Sequence, residues 1–219
     1  MTDKNNLILF FGAPGCGKGT AAKFLKQQKN YFYYGCGDFL RKKINSDKTN
    51  DFFLQDIIKN GKLVPDSLIC SLYLNNLEQN FLDKENIILD GFPRTLFQAK
   101  YLKNFCEKNN FLVKTVVFFD ISLELAKKRI LSRLVCKSCG AIYNDFTNKP
   151  KKENICDLCG GEVAKRIDDN EKVFQERFLE FQKNIQSILN FYQEENIKIK
   201  KIVILNDDLK DFYQQLENI

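Results

Sequence analysis

Residues Leu9–Thr20, LFFGAPGCGKGT, join an apolar strand to a glycine-rich loop and then to the start of a helix. The backbone N–H groups of such a loop can surround a phosphate, and the N-terminus of the helix adds partial positive charge. The glycines let the backbone approach the phosphate closely, and Lys18 supplies a point charge to the outer phosphates of a nucleotide. The stretch therefore predicts a nucleotide-binding α/β fold.

On both sides of this loop, short apolar runs alternate with helical patterns. The predicted strands are Leu7–Phe11, Tyr31–Tyr34, Asn86–Asp90, Lys114–Asp120 and Ile202–Leu205. The predicted helices are 17–29, 37–44, 50–61, 65–79, 95–109, 122–134, 169–195 and 209–217. This alternation predicts a parallel sheet that is covered by helices on both faces.

Composition limits the possible chemistry. The chain has 219 residues, of which 44% are hydrophobic, with a formal charge of +6 and no histidine. Imidazole bases and Ser–His or Cys–His nucleophile pairs are therefore excluded. The mild positive charge suits a phosphate-bearing ligand, but it lacks the dense basic stripe of a DNA-binding domain. The start of the chain, MTDKNN, has no features of a signal peptide, and no apolar run reaches the roughly 18–20 residues of a membrane span, so we expect a cytoplasmic protein without a membrane partner.

A second motif, CKSCGAIYNDFTNKPKKENICDLCG, runs from Cys136 to Gly160. Its two Cys-x-x-Cys pairs have the spacing of a four-cysteine zinc site. The predicted ligands are Cys136, Cys139, Cys156 and Cys159. Four thiolates leave no open position on the metal, so the predicted Zn²⁺ is structural. The alternatives are a pair of redox motifs and a zinc ribbon that binds nucleic acid.

Several charged residues stand where an anion would account for them. Asp90 follows a buried strand and is placed to hold a magnesium-bound water, and Arg94 follows it in a turn. Arg129 and Arg133 are spaced i, i+4 on the predicted helix 122–134, where two cations repel unless an anion lies between them. Arg177 falls within the apolar stripe of the helix 169–195, where a cation needs a partner. The alternative is a snorkelling side chain or a structural ion pair.

The motifs together resemble a known family. The loop GAPGCGKGT has Gly19 where the general phosphate-loop pattern has Ser or Thr, and this form resembles the nucleoside monophosphate kinases, most closely the adenylate kinases. Three further motifs match in order, namely GCGDFLR (35–41), GKLVPD (61–66) and LDGFPRT (89–95). Cys36 departs from the family, which usually has Thr at that position.

The resemblance implies a fold and a reaction. The fold is a P-loop, three-layer α/β/α core with a five-stranded parallel sheet over residues 1–219. It carries an AMP-binding helical insertion at 35–64 and a zinc-binding lid at 131–165. The reaction is ATP + AMP ⇌ 2 ADP with Mg²⁺, carried out by a monomer without a nucleic-acid partner. Phosphoryl transfer of this kind depends on positioning and charge neutralisation and needs no catalytic base.

The resemblance also implies site residues. For the phosphate loop they are Gly15, Cys16, Gly17, Lys18, Gly19 and Thr20. For AMP they are Cys36, Arg41, Lys62, Leu63, Val64, Gly91, Phe92, Pro93, Arg94 and Gln98. For ATP they are Arg129, Arg133, Ile142, Tyr143 and Asp207, and for the phosphates at the AMP side they are Arg166 and Arg177. The implied catalytic set is Lys18, Asp90, Arg94, Arg129, Arg133, Arg166 and Arg177.

Two rival functions remain. A monophosphate kinase of the same fold could accept CMP or UMP, or use GTP as donor, although Thr95 and Gln98 favour AMP. A P-loop protein with a nucleic-acid-binding zinc ribbon would need a basic, aromatic ribbon surface. Cys36 is expected at a helix N-terminus, where thiolate is favoured, and Cys16 lies in the loop, so thiol reagents are expected to inactivate the protein. The alternative is that both thiols are buried and inert.

Overall fold

The computed structural model describes residues 5–46, 52–81, 84–217 and 219. The predicted helix 50–61 therefore begins outside the described residues, as does the opening segment of the chain. The predicted insertion at 35–64 also includes residues 47–51, which lie outside them.

A parallel sheet forms the centre of the fold. Among the described residues it contains five strands, in the order β2-β3-β1-β4-β8. Their bounds are β1 Asn5–Gly12, β2 Phe32–Gly35, β3 Asn86–Asp90, β4 Phe111–Ile121 and β8 Lys198–Ile204. All four pairings between neighbouring strands are parallel. The predicted five-stranded parallel sheet is confirmed.

Helices cover both faces of the sheet. They are α1 Lys18–Lys29, α2 Cys36–Ser46, α3 Phe52–Lys59, α4 Asp66–Phe81, α5 Leu96–Lys108, α6 Leu123–Leu131, α7 Glu171–Glu194 and α8 Leu209–Leu216. Alternate residues of β1 point to opposite faces, as the strand period requires. Leu7 and Leu9 pack with α4, α5 and α7, whereas Ile8 and Phe10 pack with α1 and α8. This two-sided core holds the carboxyl ends of β1 and β3 side by side.

The cysteine-rich segment forms a separate small sheet. Strands β5 Arg133–Cys136, β6 Ile142–Asn144 and β7 Val163–Ala164 are antiparallel, with β5 in the centre. We call residues 131–165 the lid. Four of its buried residues, Cys136, Tyr143, Cys156 and Val163, form a cluster of their own.

The prediction that a helix continues to Leu134 is wrong. Helix α6 ends at Leu131, and its C-cap Ser132 has left helical geometry. The Ser132 hydroxyl donates back to the Lys128 carbonyl at 2.6 Å. Arg133 then opens β5 by pairing with Asn144. Arg129 and Arg133 therefore do not share a helical face, because strand pairing in the lid replaces the last predicted turn.

Within the described residues, no helix combines the length and apolar character that crossing a membrane would require.

Candidate active site

The phosphate loop leads from β1 into α1. Gly17 caps α1 in the left-handed conformation, with a φ of 91°. Lys18 folds back over the loop, and its Nζ donates to the carbonyl oxygens of Gly12 at 2.8 Å and Ala13 at 3.2 Å. It also lies 3.3 Å from Cys16 Sγ. The loop thus holds its lysine above its own backbone, where the phosphates of a nucleotide would replace the carbonyl contacts.

Close packing explains two of the loop glycines. A Cβ at Gly15, which has a φ of +87°, would lie 2.5 Å from the Ala126 carbonyl oxygen on α6. A Cβ at Gly19 would lie 3.3 Å from Cδ1 of Ile142. The loop therefore sits between α6 and the lid, and Ile142 covers the first turn of α1.

A carboxylate and a phenol meet at the end of β3. Asp90 is the last residue of β3, and its Oδ2 accepts a hydrogen bond of 2.9 Å from the Tyr33 hydroxyl on β2. Burial raises the pKa of Tyr33, and the charge of Asp90 raises it further, so the phenol stays protonated and donates. On α2, Arg41 pairs with Asp38 at 2.5 Å. Acidic and basic groups therefore flank the start of α2.

The first residue of α2 is Cys36, as the sequence predicts, but its thiol is buried. Burial raises its pKa to about 11, the guanidinium of Arg94 lowers it, and the carboxylate of Asp90 raises it. Arg94 itself is exposed and folds over Gly91, donating from Nε to that carbonyl at 2.8 Å. These electrostatic effects place Cys36, Asp90 and Arg94 in one neighbourhood.

Two arginines are held by consecutive aspartates after the lid. Arg133 makes a bidentate contact with Asp169, at 2.8 and 2.5 Å, and that carboxylate is almost wholly buried. Arg177 donates to Asp168 at 2.8 Å. Burial favours the neutral form of Asp168, but the surrounding arginines, led by Arg177, outweigh this effect and lower its pKa. The aspartates therefore fix the directions of both arginines.

A third arginine, Arg166, lies near these aspartates but forms no ion pair with either of them. Burial lowers the pKa of Arg166 to about 10 and the charges of Arg133 and Arg41 add to the effect, while the carboxylates of Asp169 and Asp168 oppose it. Across the part of the chain that the structure describes, Lys18, Arg94 and Arg166 form no ion pair. The region thus carries an excess of positive charge that an anion would balance.

A buried amide lies beneath Arg94. Gln98 is 2% exposed, its Oε1 accepts from the Arg94 backbone N–H at 2.7 Å, and its Nε2 donates to Asp66 Oδ1 at 2.7 Å. The other oxygen of Asp66 accepts from the Thr95 hydroxyl at 2.8 Å. A backbone N–H only donates and a carboxylate only accepts, so this network allows one orientation of the amide.

Arg129, another predicted cation, lies beside the start of α1. Arg129 donates from Nε to Asp207 at 2.8 Å and from a terminal nitrogen to the Asn206 carbonyl at 2.8 Å. Its other terminal nitrogen lies 3.9 Å from a Cβ placed at Gly17. This pair therefore connects α6, the loop after β8 and the start of α1.

Comparison with known proteins shows which family has a sequence like that of this chain. The family model described as adenylate kinase matches residues 10–197. The chain belongs to the adenylate kinase family. It is similar to the adenylate kinases of Thermosipho melanesiensis, at 38% identity over 86% of this chain and 88% of the relative, and of Petrotoga mobilis, at 36% over 97% and 96%. The adenylate kinase of Methanosarcina mazei is 36% identical over 97% of this chain and 95% of the relative.

The lid brings together the four cysteines of its two Cys-x-x-Cys pairs. Their sulfur atoms lie within 4.8 Å of one another. Cys136 and Cys159 are 3.5 Å apart and Cys139 and Cys156 are 3.6 Å apart, close to the roughly 3.8 Å expected between thiolates of a tetrahedral zinc site. Gly140 and Gly160, both with positive φ, donate their N–H groups to the carbonyls of the first cysteine of each pair. The cluster therefore fits a tetrahedral metal ion.

Burial limits which atoms of four predicted site residues could reach a nucleotide, while their predicted contacts stay untested. Tyr143 is 5% exposed, and its hydroxyl lies 3.4 Å from Cys156 Sγ and accepts from the Asp157 N–H, so its ring faces into the lid and not toward adenine. Phe92 packs against Tyr73 in the core, and Pro93 is also buried, which leaves their backbone alone available to AMP. Cys16 is likewise buried and offers only its backbone.

The other residues predicted for AMP differ in exposure. Lys62 is exposed, Leu63 is half-buried and Val64 is buried. Gly91 has a φ of +76° and lies beneath the guanidinium of Arg94. Thr20 is half-buried on the first turn of α1. Their contacts with a nucleotide stay predictions.

Sequence reasoning missed the residues that orient the site. Asp66, Asp168 and Asp169 hold Gln98, Arg177 and Arg133, and Tyr33 holds Asp90. Of these residues, Asp66 lies in GKLVPD, one of the motifs that carried the resemblance. The pairing itself had no local signal, because the partners stand between 9 and 57 residues apart along the chain.

The predicted thiol sensitivity is reversed by burial. Cys16 and Cys36 are 0% and 4% exposed, and burial raises the pKa of both thiols. With a pKa of about 11, only about one Cys36 thiol in a thousand is ionised at pH 8. We therefore expect iodoacetamide to leave both residues unmodified and the activity unchanged in the native protein, as measured by peptide mass mapping.

The control for this experiment is the same reagent added to protein unfolded in urea with a chelator, where all eight cysteines should react. Rapid labelling of Cys16 or Cys36 in the folded protein, with loss of turnover, would contradict the burial argument and restore the first expectation.

Proposed function

We propose that this chain transfers the terminal phosphoryl group of ATP to AMP, giving two ADP, with the phosphates held among Lys18, Arg94 and Arg166. The observation that carries the proposal is the half-buried Arg166, which lies close to Arg133 and Arg41 without an ion-pair partner in the described chain. Asp168 and Asp169 balance part of this positive charge, and an anionic ligand would balance the rest. Membership of the adenylate kinase family names the reaction that this anion site would serve.

The site offers chemistry without a base. The phosphate oxygen of a nucleoside monophosphate is already anionic near neutral pH, so no group must deprotonate it. The excess cations would neutralise charge as it shifts between donor and acceptor. Asp168 and Asp169 hold two of the arginines in fixed directions, so little reorganisation is needed when the phosphates bind. Positioning and electrostatics are therefore the contributions that we assign to the protein.

Asp90 suits the Mg²⁺ that accompanies ATP. Its carboxylate stands at the end of β3, the pairing of β3 with β1 brings it beside the loop, and only its Oδ2 accepts a hydrogen bond from the described residues. Carboxylate oxygen is a preferred ligand for a magnesium ion or its bound water. When bound, the metal would neutralise phosphate charge. Asp90 would hold its hydration shell.

The lid sulfurs suit a structural Zn²⁺. Cys136, Cys139, Cys156 and Cys159 would supply four thiolates, and no position would remain for substrate. We assign residues 131–165 to the lid and residues 35–64 to the AMP-binding insertion of a single core. In this assignment Ile142 covers the ATP side of the loop, and Arg129 with Asp207 borders it.

Acceptor choice tests the proposal directly. AMP is expected to exceed GMP, CMP and UMP by at least about 10²-fold in kcat/KM, because a site built to hydrogen-bond one base rejects others strongly. The reason is the fixed amide of Gln98. One hydrogen of its Nε2 and one lone pair of its Oε1 remain, in a fixed order. In that order they match the ring nitrogen and the amino group of adenine, whereas guanine would need the amide reversed. A coupled assay with the four monophosphates measures this preference.

The matched variant is Gln98→Ala, which removes the amide whose orientation the Arg94 N–H and Asp66 fix. It should reduce the ratio of kcat/KM for AMP to kcat/KM for GMP by about 10-fold, without creating activity toward CMP. If the unaltered chain turned over CMP or UMP as fast as AMP, the proposal would be wrong and the chain would be a pyrimidine monophosphate kinase.

A further inference from the structure

One side chain of the edge strand β2, that of Tyr33, reaches Asp90 at the end of β3. Tyr33 and Gly35 lie on the same face of β2, two residues apart, and the pairing with β3 places Gly35 directly beside Asp90. The Tyr33 ring runs along the strand, across Gly35, and its hydroxyl reaches Asp90 Oδ2 at 2.9 Å. Asp90 therefore receives this bond from the neighbouring strand.

Gly35 provides the space for this contact. A Cβ at position 35 would lie 2.5 Å from the hydroxyl oxygen of Tyr33 and 2.8 Å from its Cζ, which is closer than real Cβ contacts. Gly35 does not have the positive φ that favours glycine, since it is absent from the positive-φ set of the described residues. The missing side chain at Gly35 is therefore explained by the passage of the phenol and not by backbone conformation.

The hydrogen bond from Tyr33 occupies one oxygen of the Asp90 carboxylate and leaves the other oxygen available to a ligand. Among the described residues, Oδ1 of Asp90 accepts no hydrogen bond. A carboxylate held at one oxygen loses its rotational freedom, so the second oxygen is presented in one direction. The neighbouring Tyr34 has no such role, since its hydroxyl donates toward the Tyr73 carbonyl and Asn76 on α4.

We propose that Tyr33 is a positioning residue that fixes the Asp90 carboxylate so that its free oxygen can hold the hydrated Mg²⁺ of the ATP complex. This inference rests on the proposed function. Partners of metal-binding carboxylates commonly change metal affinity by about 10- to 100-fold. Loss of the phenol should therefore weaken the contribution of Mg²⁺ to nucleotide binding more than it weakens binding of the nucleotide itself.

The test compares nucleotide affinity with and without the metal. Calorimetry gives the Kd of a non-hydrolysable ATP analogue in Mg²⁺ and in EDTA, and the ratio of these values is the metal's contribution. Tyr33→Phe is expected to reduce this ratio about 10-fold, with the Kd in EDTA changed less than about 2-fold. A purely structural role would change both constants together and leave the ratio unaltered.

Tyr34→Phe is the matched control, because it removes a phenol from the next position of the same strand. It should lower the melting temperature through its lost bonds to α4 and leave the metal ratio unchanged. Should Tyr33→Phe fold poorly, Gly35→Ala removes the same hydrogen bond by displacing the ring and is expected to give the same reduced ratio.

A double-mutant cycle decides whether Tyr33 acts through Asp90. Asp90→Asn should reduce the metal ratio strongly, and adding Tyr33→Phe should reduce it no further. A normal ratio in Tyr33→Phe together with a reduced ratio in Asp90→Asn would overturn the proposal while leaving the proposed function intact. A normal ratio in Asp90→Asn would also overturn it. The failure of the proposed function itself would be seen separately, as absence of AMP-dependent turnover in the unaltered chain.

Discussion

Replacing Lys18 with methionine is expected to lower kcat by about 10²- to 10³-fold while leaving the fold intact. Methionine keeps most of the length of the side chain and removes the charge that the loop directs toward the transferring group. The lysine's contacts in the structure are with Gly12, Ala13 and Cys16 of its own loop, so few other interactions are lost. Steady-state kinetics with saturating ATP and AMP, alongside a thermal melt, measure both quantities.

Lys23→Met provides the matched control for this prediction. Lys23 lies on the same helix, α1, and is exposed, so its replacement should alter neither kcat nor the melting temperature measurably. A folded Lys18→Met protein with kcat within about 5-fold of the original would remove Lys18 from the catalytic set, since loss of one transition-state donor costs more than this.

Changing Cys156 to serine is expected to destabilise the protein by about 3 kcal/mol, which corresponds to a melting temperature lower by roughly 6 to 12 °C for a chain of this size. The lid has a buried cluster of only four residues, two of which are proposed metal ligands, so little else stabilises it. The hydrogen bond from Tyr143, the largest of several effects, lowers the pKa of Cys156 to about 6, which favours the thiolate form that a metal binds. Elemental analysis should find about one zinc per chain in the original protein and little in the variant.

Catalysis in the cold should suffer less than stability. The proposed zinc contacts no substrate, and at about 10 °C we expect kcat of Cys156→Ser to stay within roughly 10-fold of the original. Ser138→Ala is the matched control, because Ser138 lies exposed between two of the cysteines without being a ligand. Metal-free protein as first purified, or a variant that melts normally and has lost catalysis, would contradict a structural zinc.

Much of the fold could be predicted because its signals are local. Buried parallel strands appear in a sequence as short apolar runs, and helices appear as apolar patterns with a 3.6-residue period. The five predicted strands of the main sheet and their alternation with helices were therefore correct. The end of α6 was not predictable in this way. Residues 132–134 continue a helical pattern, but Arg133 and Leu134 pair with β6 in the lid, and this pairing depends on residues about ten positions further along the chain.

In the candidate site, too, the features with a local sequence signal could be predicted, and those set by tertiary packing could not. The phosphate loop and the cysteine ligands could be identified because spacing along the chain specifies backbone shape and ligand geometry within a few residues. Tyr143 could not be placed, because whether an aromatic ring faces a nucleotide or the interior of a small sheet depends on what packs behind it. The raised pKa of Cys36 likewise follows from burial, which sequence position at a helix start does not reveal.

By itself, the sequence determined the fold class, the phosphate loop, the family and the four candidate zinc ligands, since each of these is specified by residue types at short, defined spacings. Only the tertiary structure decided which charges are paired and which are left for a ligand. Asp168 and Asp169 pair with Arg177 and Arg133, while Arg166 forms no ion pair in the described part of the chain. The physical reason is that ion pairs and hydrogen bonds such as that between Tyr33 and Asp90 form between side chains brought together by packing, and their energies depend on distances and burial that no local pattern encodes.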